Sequence, residues 1–373
     1  MRLLSLLAAS VTALSVAHLC AFADDMPDVS AKAAVVMDAE SGELVFSKNA
    51  KLRLPMASTT KIMSALIVLE QDGLDEPFTV DVRAVDTEGS TMGLEKGDRV
   101  TLRELCAGML LPSGNDAANA AAYRVSGSIE GFVELMNEKA QKMGLSDTHF
   151  VTPSGLDDYT DDHYSSAADM ASLAAFAVKN EDFRAVCSKG SMSLPVSGKK
   201  LYNTNKLLGS CEGVFGVKTG FTDKAGRCLV SACERKGKTL VCVTLNDRDD
   251  WADHKALYDA CFALYKEQTL PFSDRELDVP VVGSECESVK ARVTDPTAVL
   301  LSGRAGKLET RVYVLPFAYA PVRKGDVLGY VDHYYMGSFI GRRKICALST
   351  APVLEAKKDD SGFGIDDVLS LLF

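Results

Sequence analysis

The chain has 373 residues, about twice the usual length of one domain, so the sequence predicts one large domain and a smaller one. Apolar residues make up 47% of it, which is enough to build a packed core. The formal net charge of −10 argues against non-specific binding to nucleic acid, which requires clustered Lys and Arg.

Residues 1–23 predict a secretory signal peptide. Arg2 precedes a short apolar run, which ends in Ala21-Phe22-Ala23, an A-x-A cleavage pattern. The run is short for a membrane span, and the residues before Cys20 are not the small ones of a lipoprotein signal. We therefore expect cleavage after Ala23 and export of the chain.

The cysteines do not indicate a metal or redox site. None of the ten lies in a C-x-x-C pair, and several, such as Cys228 and Cys242, lie inside apolar runs typical of small core residues. Removal of Cys20 with the signal peptide leaves an odd number, so at least one free thiol is expected. The sequence predicts no cofactor and no metal.

Strands at both ends and helices in the middle characterise residues 24–270. Two short apolar runs over 33–37 and 43–47, separated by a turn, predict a β-hairpin. Helices are predicted to begin after Pro55, near Leu102, at Asp116, at residue 130 and at Ala167, the last one capped by Ser165 or Ser166. Strands over 214–218, 228–234 and 239–246 follow, and then a helix over 251–267. These elements predict an α+β domain in which one sheet, made from distant segments, is flanked by helices.

The pattern changes to short strands and turns after residue 270. Strands predicted over 279–282, 289–293, 299–301, 308–314 and 327–331 indicate a small β-rich domain over 271–354. Residues 355–373 then form a polar linker and a short helix.

The predicted C-terminal helix is amphipathic. Its apolar face consists of Ile365, Val368, Leu369, Leu372 and Phe373. Asp366 and Asp367 take the place of the basic residues that favour anionic lipid. Two interpretations stay open: peripheral membrane contact through residues 361–373, and docking of the helix on the protein.

Ser58 and Lys61 form the first motif that can carry chemistry. Their three-residue spacing at the start of a helix places the hydroxyl and the amine on one face. A serine hydroxyl is a poor nucleophile unless a neighbouring base takes its proton. A lysine can be that base if burial or a nearby cation lowers its pKa.

Two further motifs follow along the chain. Ser113-Gly114-Asn115 lies in the break between two predicted helices, and Lys218-Thr219-Gly220 lies at the end of a predicted strand. Each is common by itself. Their order, on a helix start, an interhelix loop and a strand, matches the three walls of a penicillin-recognising site.

The three motifs together resemble those of the serine D-Ala-D-Ala carboxypeptidases, the low-molecular-mass penicillin-binding proteins. Pro55-Met56-Ala57, Thr152 to Leu156 and His163 to Ala171 add to this resemblance, which covers roughly residues 28–350. It implies a penicillin-binding/β-lactamase-like transpeptidase fold, with an antiparallel sheet flanked by helices, followed by a small all-β domain.

The resemblance implies a serine acyl-transfer reaction. Ser58 would attack the carbonyl between the last two D-alanines of a peptidoglycan stem peptide, with Lys61 as general base. Ser113 would relay a proton to the departing D-alanine, and water would then hydrolyse the acyl-enzyme. β-Lactams would acylate Ser58 and remain attached as inhibitors.

The resemblance also implies the substrate-binding residues. Asn115 would hydrogen-bond the substrate amide, while Lys218 and Thr219 would bind its terminal carboxylate. Gly220 would leave room for the substrate along the strand. The backbone N–H of Phe221 would form the oxyanion hole with that of the nucleophile. The enzyme would act at the extracytoplasmic face of the cytoplasmic membrane or in the cell wall, without a nucleic-acid partner.

Three alternatives stay open at this point. A class A β-lactamase shares the motifs but needs a Glu that activates the deacylating water, and the chain has no Glu between Gly144 and Lys179. A D,D-endopeptidase acting on crosslinks uses the same chemistry. A non-catalytic penicillin-sensing or wall-binding protein could share the fold, although intact Ser58, Lys61 and Lys218 argue against it.

Overall fold

The structure is a computed structural model that describes residues 26–157, 160–272, 275–294, 298–302, 308–335 and 337–354. These residues divide into two compact units. The first comprises the described residues up to Lys266 together with Ser302, and the second the remaining ones from Glu267 onward. The predicted signal peptide and C-terminal helix lie outside the described residues.

The first unit contains seven α-helices and nine strands among its described residues. In chain order these are β1 (Ala33–Asp38), β2 (Leu44–Lys48), α1 (Lys61–Leu69), β3 (Phe78–Thr79), β4 (Arg99–Val100), α2 (Leu102–Leu110), α3 (Asn115–Ser126), α4 (Ile129–Lys142), α5 (Ala167–Ala177), α6 (Glu181–Cys187), β5 (Ser191–Ser193), β6 (Lys200–Tyr202), β7 (Val214–Thr222), β8 (Gly226–Arg235), β9 (Lys238–Asp247) and α7 (Asp250–Ala263).

A five-stranded antiparallel sheet organises this unit, in the order β2-β1-β9-β8-β7. Successive side chains of a strand point to opposite faces, so each strand supplies two cores. Val35, Val230 and Val243 face the helical core on one side, whereas Val36 and Leu229 face α7 on the other. The expected antiparallel sheet with helices on its faces is confirmed, and β7 is an outer strand.

The second unit is built from β-strands. Its described strands, which begin at the division between the units, are β10 (Tyr265–Thr269), β11 (Leu277–Val282), β12 (Ser288–Val293), β13 (Ala298–Ser302), β14 (Leu308–Val314), β15 (Ala318–Tyr319), β16 (Val327–Tyr335) and β17 (Ser338–Ala347). Six of them form one sheet in the order β14-β16-β17-β12-β11-β15. Alternate residues of β12, such as Val289 and Ala291, are buried in a core of their own.

The helix predicted over 251–267 is too long. It ends at Ala263, and residues 265–269 form β10 instead. Tyr265 continues the helical spacing of apolar residues, which explains the overestimate. Its hydroxyl donates to Asp38 Oδ2 at 3.0 Å, a contact with β1 that the spacing could not reveal.

Candidate active site

Ser58 lies in a tight 3₁₀ turn, Ala57–Thr60, which leads directly into α1. Ala57 has a φ of +48°, an unusual conformation for a residue with a side chain. The turn bends the chain just before the serine, so Ser58 stays half exposed while Ala57 and Thr59 are buried. The serine is therefore kept partly exposed by a conformation that the surroundings must hold.

A chain of hydrogen bonds supports this turn from behind. The Val151 N–H donates to His163 Nδ1 at 2.9 Å, so the ring proton sits on Nε2. His163 Nε2 donates to Thr60 Oγ1 at 2.8 Å, and Thr60 Oγ1 donates to the Ala57 carbonyl at 2.8 Å. Burial lowers the pKa of His163 to about 3, so the imidazole is neutral. His163 thus serves the turn and not the reaction.

Gly155 lets the neighbouring loop approach the same turn closely. It has a φ of +90°, and a Cβ built on it would stand 2.1 Å from the Ala57 carbonyl oxygen. The adjacent Ser154 carbonyl points at Lys61. A glycine at this position brings one wall of the site within hydrogen-bond reach of the lysine.

Lys61 is fully buried, and its amine has three partners. Nζ lies 3.0 Å from Ser58 Oγ, 2.6 Å from Asn115 Oδ1 and 2.6 Å from the Ser154 carbonyl oxygen. Burial, and then the positive charge of Lys218, lowers the pKa of Lys61 well below its ordinary value. The amine therefore has both the distance to Ser58 Oγ and the lowered pKa that a general base for this serine requires.

The second motif joins α2 to α3. Ser113 is buried and has a φ of +69°, which turns the chain before α3 begins at Asn115. The Asn115 side-chain amide donates to the Glu88 carbonyl at 2.7 Å, and this fixes its oxygen toward Lys61. The motif thereby fixes one of the partners of the lysine amine.

The third motif lies on the outer strand β7. Lys218 is 1% exposed, and burial lowers its pKa to about 7. Its amine donates to the Thr219 carbonyl at 2.7 Å, and Thr219 Oγ1 lies 2.8 Å from Thr204 Oγ1. A Cβ on Gly220 would stand 3.2 Å from the Ser58 nitrogen. Strand β7 therefore passes directly beside the nucleophile turn, which is the turn Ala57–Thr60 that carries the predicted nucleophile. Phe221, which follows, is 63% exposed.

The structure brings at least one predicted residue from each of the three motifs to one place, whereas for Ser113 it shows burial and a positive φ but no hydrogen bond to Ser58 or Lys61 among the described residues. Ser58, Lys61 and Asn115 are in direct contact, and Gly220 passes beside Ser58. Sequence reasoning assigned no role in the site to Ser154 or Asp116. In the described part of the chain, no group of three His, Cys, Asp or Glu side chains could hold a metal ion.

Comparison with known proteins identifies the family. A family model described as D-alanyl-D-alanine carboxypeptidase matches residues 20–249, which is more than half of the chain. The chain belongs to the D-alanyl-D-alanine carboxypeptidase family. Members of this family act on peptidoglycan stem peptides and bind β-lactams, so the enzyme works on the extracytoplasmic side.

Individual members of the D-alanyl-D-alanine carboxypeptidase family agree with this assignment. The carboxypeptidase DacF of Bacillus subtilis is 30% identical over 313 residues, which is 80% of each chain. Penicillin-binding protein 5 of Haemophilus influenzae has a similar structure, with a TM-score of 0.62, 28% identity, and coverage of 87% of this chain and 98% of that one.

A shorter relative in the solved structures, the Streptomyces K15 DD-transpeptidase, is 32% identical with a TM-score of 0.61. It covers 64% of this chain and 99% of its own length. These neighbours confirm the expected penicillin-binding-protein fold. The family model and the relatives named as carboxypeptidases support the carboxypeptidase and do not favour the β-lactamase, the endopeptidase or the non-catalytic alternatives.

Proposed function

We propose that this D-alanyl-D-alanine carboxypeptidase removes the terminal D-Ala from peptidoglycan pentapeptide stems through an acyl-enzyme on Ser58. The observation that carries this assignment is the 3.0 Å distance between Ser58 Oγ and the amine of Lys61. That amine is buried, and its pKa is lowered well below the ordinary value. Together they form the nucleophile and base of a serine acyl transfer.

The surroundings of Lys61 suit its neutral form. A neutral amine has two N–H groups and one lone pair. Asn115 Oδ1 and the Ser154 carbonyl, both at 2.6 Å, accept the two N–H groups. The lone pair is then left for the hydroxyl of Ser58, which donates to it. A protonated lysine would instead donate its third N–H to Ser58 Oγ and would have no lone pair with which to take the serine proton.

The reaction then proceeds in two halves. Ser58 Oγ bonds to the carbonyl carbon of the penultimate D-Ala while its proton passes to Lys61. Collapse of the tetrahedral intermediate breaks the peptide bond, and Ser113 relays the proton held by Lys61 to the nitrogen of the departing D-Ala, which leaves Lys61 neutral again. Water subsequently attacks the ester, gives its proton to Lys61, and restores the Ser58 hydroxyl.

Residues of β7 bind the terminal carboxylate of the substrate and contribute to the oxyanion hole. The protonated Lys218 amine and the Thr219 hydroxyl bind the terminal carboxylate. The backbone N–H groups of Ser58 and Phe221 donate to the oxyanion, each contributing about 3 kcal/mol to the transition state. The close approach of Gly220 to the Ser58 nitrogen supports this pairing of donors.

Intact-mass measurement after incubation of residues 24–373 with penicillin tests this assignment. One added penicilloyl mass is expected on the wild type, mapping to Ser58, and none on Ser58→Ala. Release of D-Ala from a pentapeptide should disappear in the same variant. An adduct that persists in Ser58→Ala, or a folded wild type that takes up no penicillin, would contradict the assignment of the nucleophile.

We propose the following organisation for the whole chain. A signal peptide over 1–23 directs export, 24–270 is the catalytic domain, 271–354 the β-rich domain, and 355–373 a linker with a short helix. Across the described residues, no helix combines the length and apolar character needed to cross a bilayer. Peripheral contact through 361–373 would hold the enzyme at the membrane surface near its substrate.

A further inference from the structure

Asp116, in the first turn of α3, is a fully buried carboxylate that binds a neighbouring loop. Its oxygens accept hydrogen bonds from the backbone N–H groups of Met92 and Leu94, both at 2.9 Å, and from the Thr91 hydroxyl. Buried anions are costly unless hydrogen bonds compensate them. These donors come from one short stretch of chain, so the carboxylate ties residues 91–94 to the beginning of α3.

The tied loop in turn orients Asn115. The Asn115 backbone N–H donates to the Ser90 carbonyl at 2.7 Å, and its side-chain amide donates to the Glu88 carbonyl at 2.7 Å. These bonds leave Asn115 Oδ1 directed at Lys61 Nζ, 2.6 Å away. A continuous set of contacts therefore runs from the carboxylate, through residues 88–94, to the catalytic amine.

Asp116 also acts on Lys61 through its charge. Three ionisable groups influence or border the amine: Lys218 on β7, Asp116 on α3, and His163 next to the nucleophile turn. Lys218 and burial lower the pKa of Lys61, whereas the negative charge of Asp116 raises it. His163 is neutral at physiological pH. A base whose pKa is lowered too far accepts a proton weakly, so an opposing charge preserves its strength.

We propose that Asp116 is a positioning residue for this acyl transfer, which holds residues 88–94 against α3, orients Asn115 toward Lys61, and provides a negative charge that acts on the Lys61 amine. The inference rests on the proposed function. It assigns a role to a residue outside the three motifs, which touches neither the nucleophile nor the base.

The first test is Asp116→Asn, which keeps the shape of the side chain and removes its charge. The second-order rate of Ser58 acylation by penicillin is expected to fall about 10- to 100-fold, because the base is displaced. Loss of the negative charge lowers the pKa of Lys61, so Lys61 becomes neutral at lower pH. The rising acid limb of the pH–rate profile should therefore move to lower pH.

Two variants separate position from charge. Thr91→Val removes one donor to Asp116 without changing any charge, so the acylation rate should fall several-fold while the acid limb stays in place. Asp98→Asn is the matched charge control, since this carboxylate accepts from Glu95 N in the same loop but binds Lys199 near the surface. Both rate and limb are expected to stay at their wild-type values.

If Asp116→Asn does not fold, as judged by circular dichroism, Asp116→Glu replaces it. That variant keeps the charge and displaces the loop, so the rate should fall with the acid limb unmoved. The inference would be overturned if the acid limb of the pH–rate profile moved in Asp116→Glu. It would also be overturned if folded Asp116→Asn kept both the acylation rate and the acid limb of the wild type. In either case a normally acylated wild type leaves the proposed function intact, whereas an unreactive wild type rejects the function itself.

Discussion

Lys61 and Lys218 lie in the same site, and the proposed reaction requires them to be in opposite protonation states. In the proposed mechanism Lys61 is neutral so that it can accept a proton, whereas Lys218 is protonated so that it can bind a carboxylate. Both are almost completely buried, so burial lowers the pKa of each. Repulsion between the two positive charges disfavours the state in which both lysines are protonated, and the proposed mechanism requires that Lys61 is the one that loses its proton.

The pKa of Lys218, lowered to about 7, predicts a falling alkaline limb in the activity profile. As pH rises through this value, Lys218 loses the charge that binds the terminal carboxylate, so kcat/KM for a D-Ala-D-Ala peptide should fall. Lys218→Arg, which keeps its proton at every accessible pH, should move this limb upward while lowering the maximum. Stopped-assay pH profiles of D-Ala release provide the measurement.

Lys224→Arg is the control for that experiment. Lys224 is an exposed lysine close to the same strand, paired with Asp161, and its replacement should leave the limb unmoved. A limb that stays near pH 7 in Lys218→Arg would show that another group causes it.

At the site, the sequence could supply the motif residues but not what orients them. Ser58, Lys61, Asn115 and Lys218 were predictable because short spacings on recognisable elements identify them. The Ser154 carbonyl is a backbone atom, and backbone atoms leave no signature in residue types. Asp116 follows Asn115 directly, yet three of its hydrogen-bond donors lie more than twenty residues away in a loop without periodicity.

At the scale of elements, the nucleophile turn depends on a glycine in another loop. Gly155 packs its Cα against the Ala57 carbonyl, and Ala57 itself has a positive φ. A turn in such a conformation persists when its neighbours hold it in place. The packing of Gly155, together with the His163–Thr60 hydrogen bonds, accounts for that support.

Gly155→Ala is therefore expected to damage both stability and activity. The new Cβ would collide with the Ala57 carbonyl oxygen, and the φ of +90° adds strain, for a total cost of about 2–5 kcal/mol. Urea unfolding measures the stability, and penicillin acylation, which should become much slower, measures the displaced turn.

Gly144→Ala measures the loss of stability that a positive φ causes by itself, without a steric collision. Gly144 ends α4 with a φ of +74°, and a Cβ there would meet nothing within 4 Å. It should destabilise the protein by about 1–2 kcal/mol and leave acylation unchanged. Equal losses in the two variants would contradict the role of close packing at Gly155.

Helices and strands were predictable from the sequence where regularly spaced apolar residues continued over a long segment, or where residues typical of turns and helix caps marked their ends. The β1–β2 hairpin, the Ser166 cap of α5, which accepts from the Asp169 N–H at 3.1 Å, and the β8–β9 hairpin are confirmed. The short helix α6 and strands β3, β4, β5, β6, β10, β15 and β17 were not predicted. Brief segments such as Ser191–Ser193 carry too few residues for a period to be recognised, so their tertiary contacts decide their structure.

At the scale of the whole molecule, the cysteines form part of the packing. The described residues include nine cysteines, and eight of them are buried. Burial raises the pKa of several, including Cys187 and Cys228 to about 12, so they stay protonated and unreactive. The expectation that such residues fill the core is met, and Cys286 is exposed.

Deletion of residues 361–373 tests the proposed membrane contact. If the apolar face of the predicted helix lies in the membrane surface, the truncated enzyme should lose most of its partitioning onto lipid vesicles. Catalysis on a soluble pentapeptide should stay within about twofold of the full chain, since the deleted residues contribute nothing to the three motifs. Co-sedimentation with vesicles measures the binding.

Replacement of Leu369 and Leu372 by Ser is the matched control, because it removes apolar area at constant length and charge. Partitioning that survives both changes would rule out this segment as the anchor and favour docking of the helix on the protein.

Because β7 is an outer strand of its sheet, its free edge is open to an extended substrate and also to other extended chains. An outer strand presents unpaired backbone groups to any extended chain, so it is also a template for self-association. Proteins commonly shield such an edge with a charged side chain, a bulge or a covering segment. Here a permanent cover over Thr219 to Phe221 would shut out the peptide that the enzyme must bind. The enzyme must therefore tolerate an aggregation-prone edge at the place where it works, and an extended peptide mimic that pairs with this edge would be a natural inhibitor scaffold.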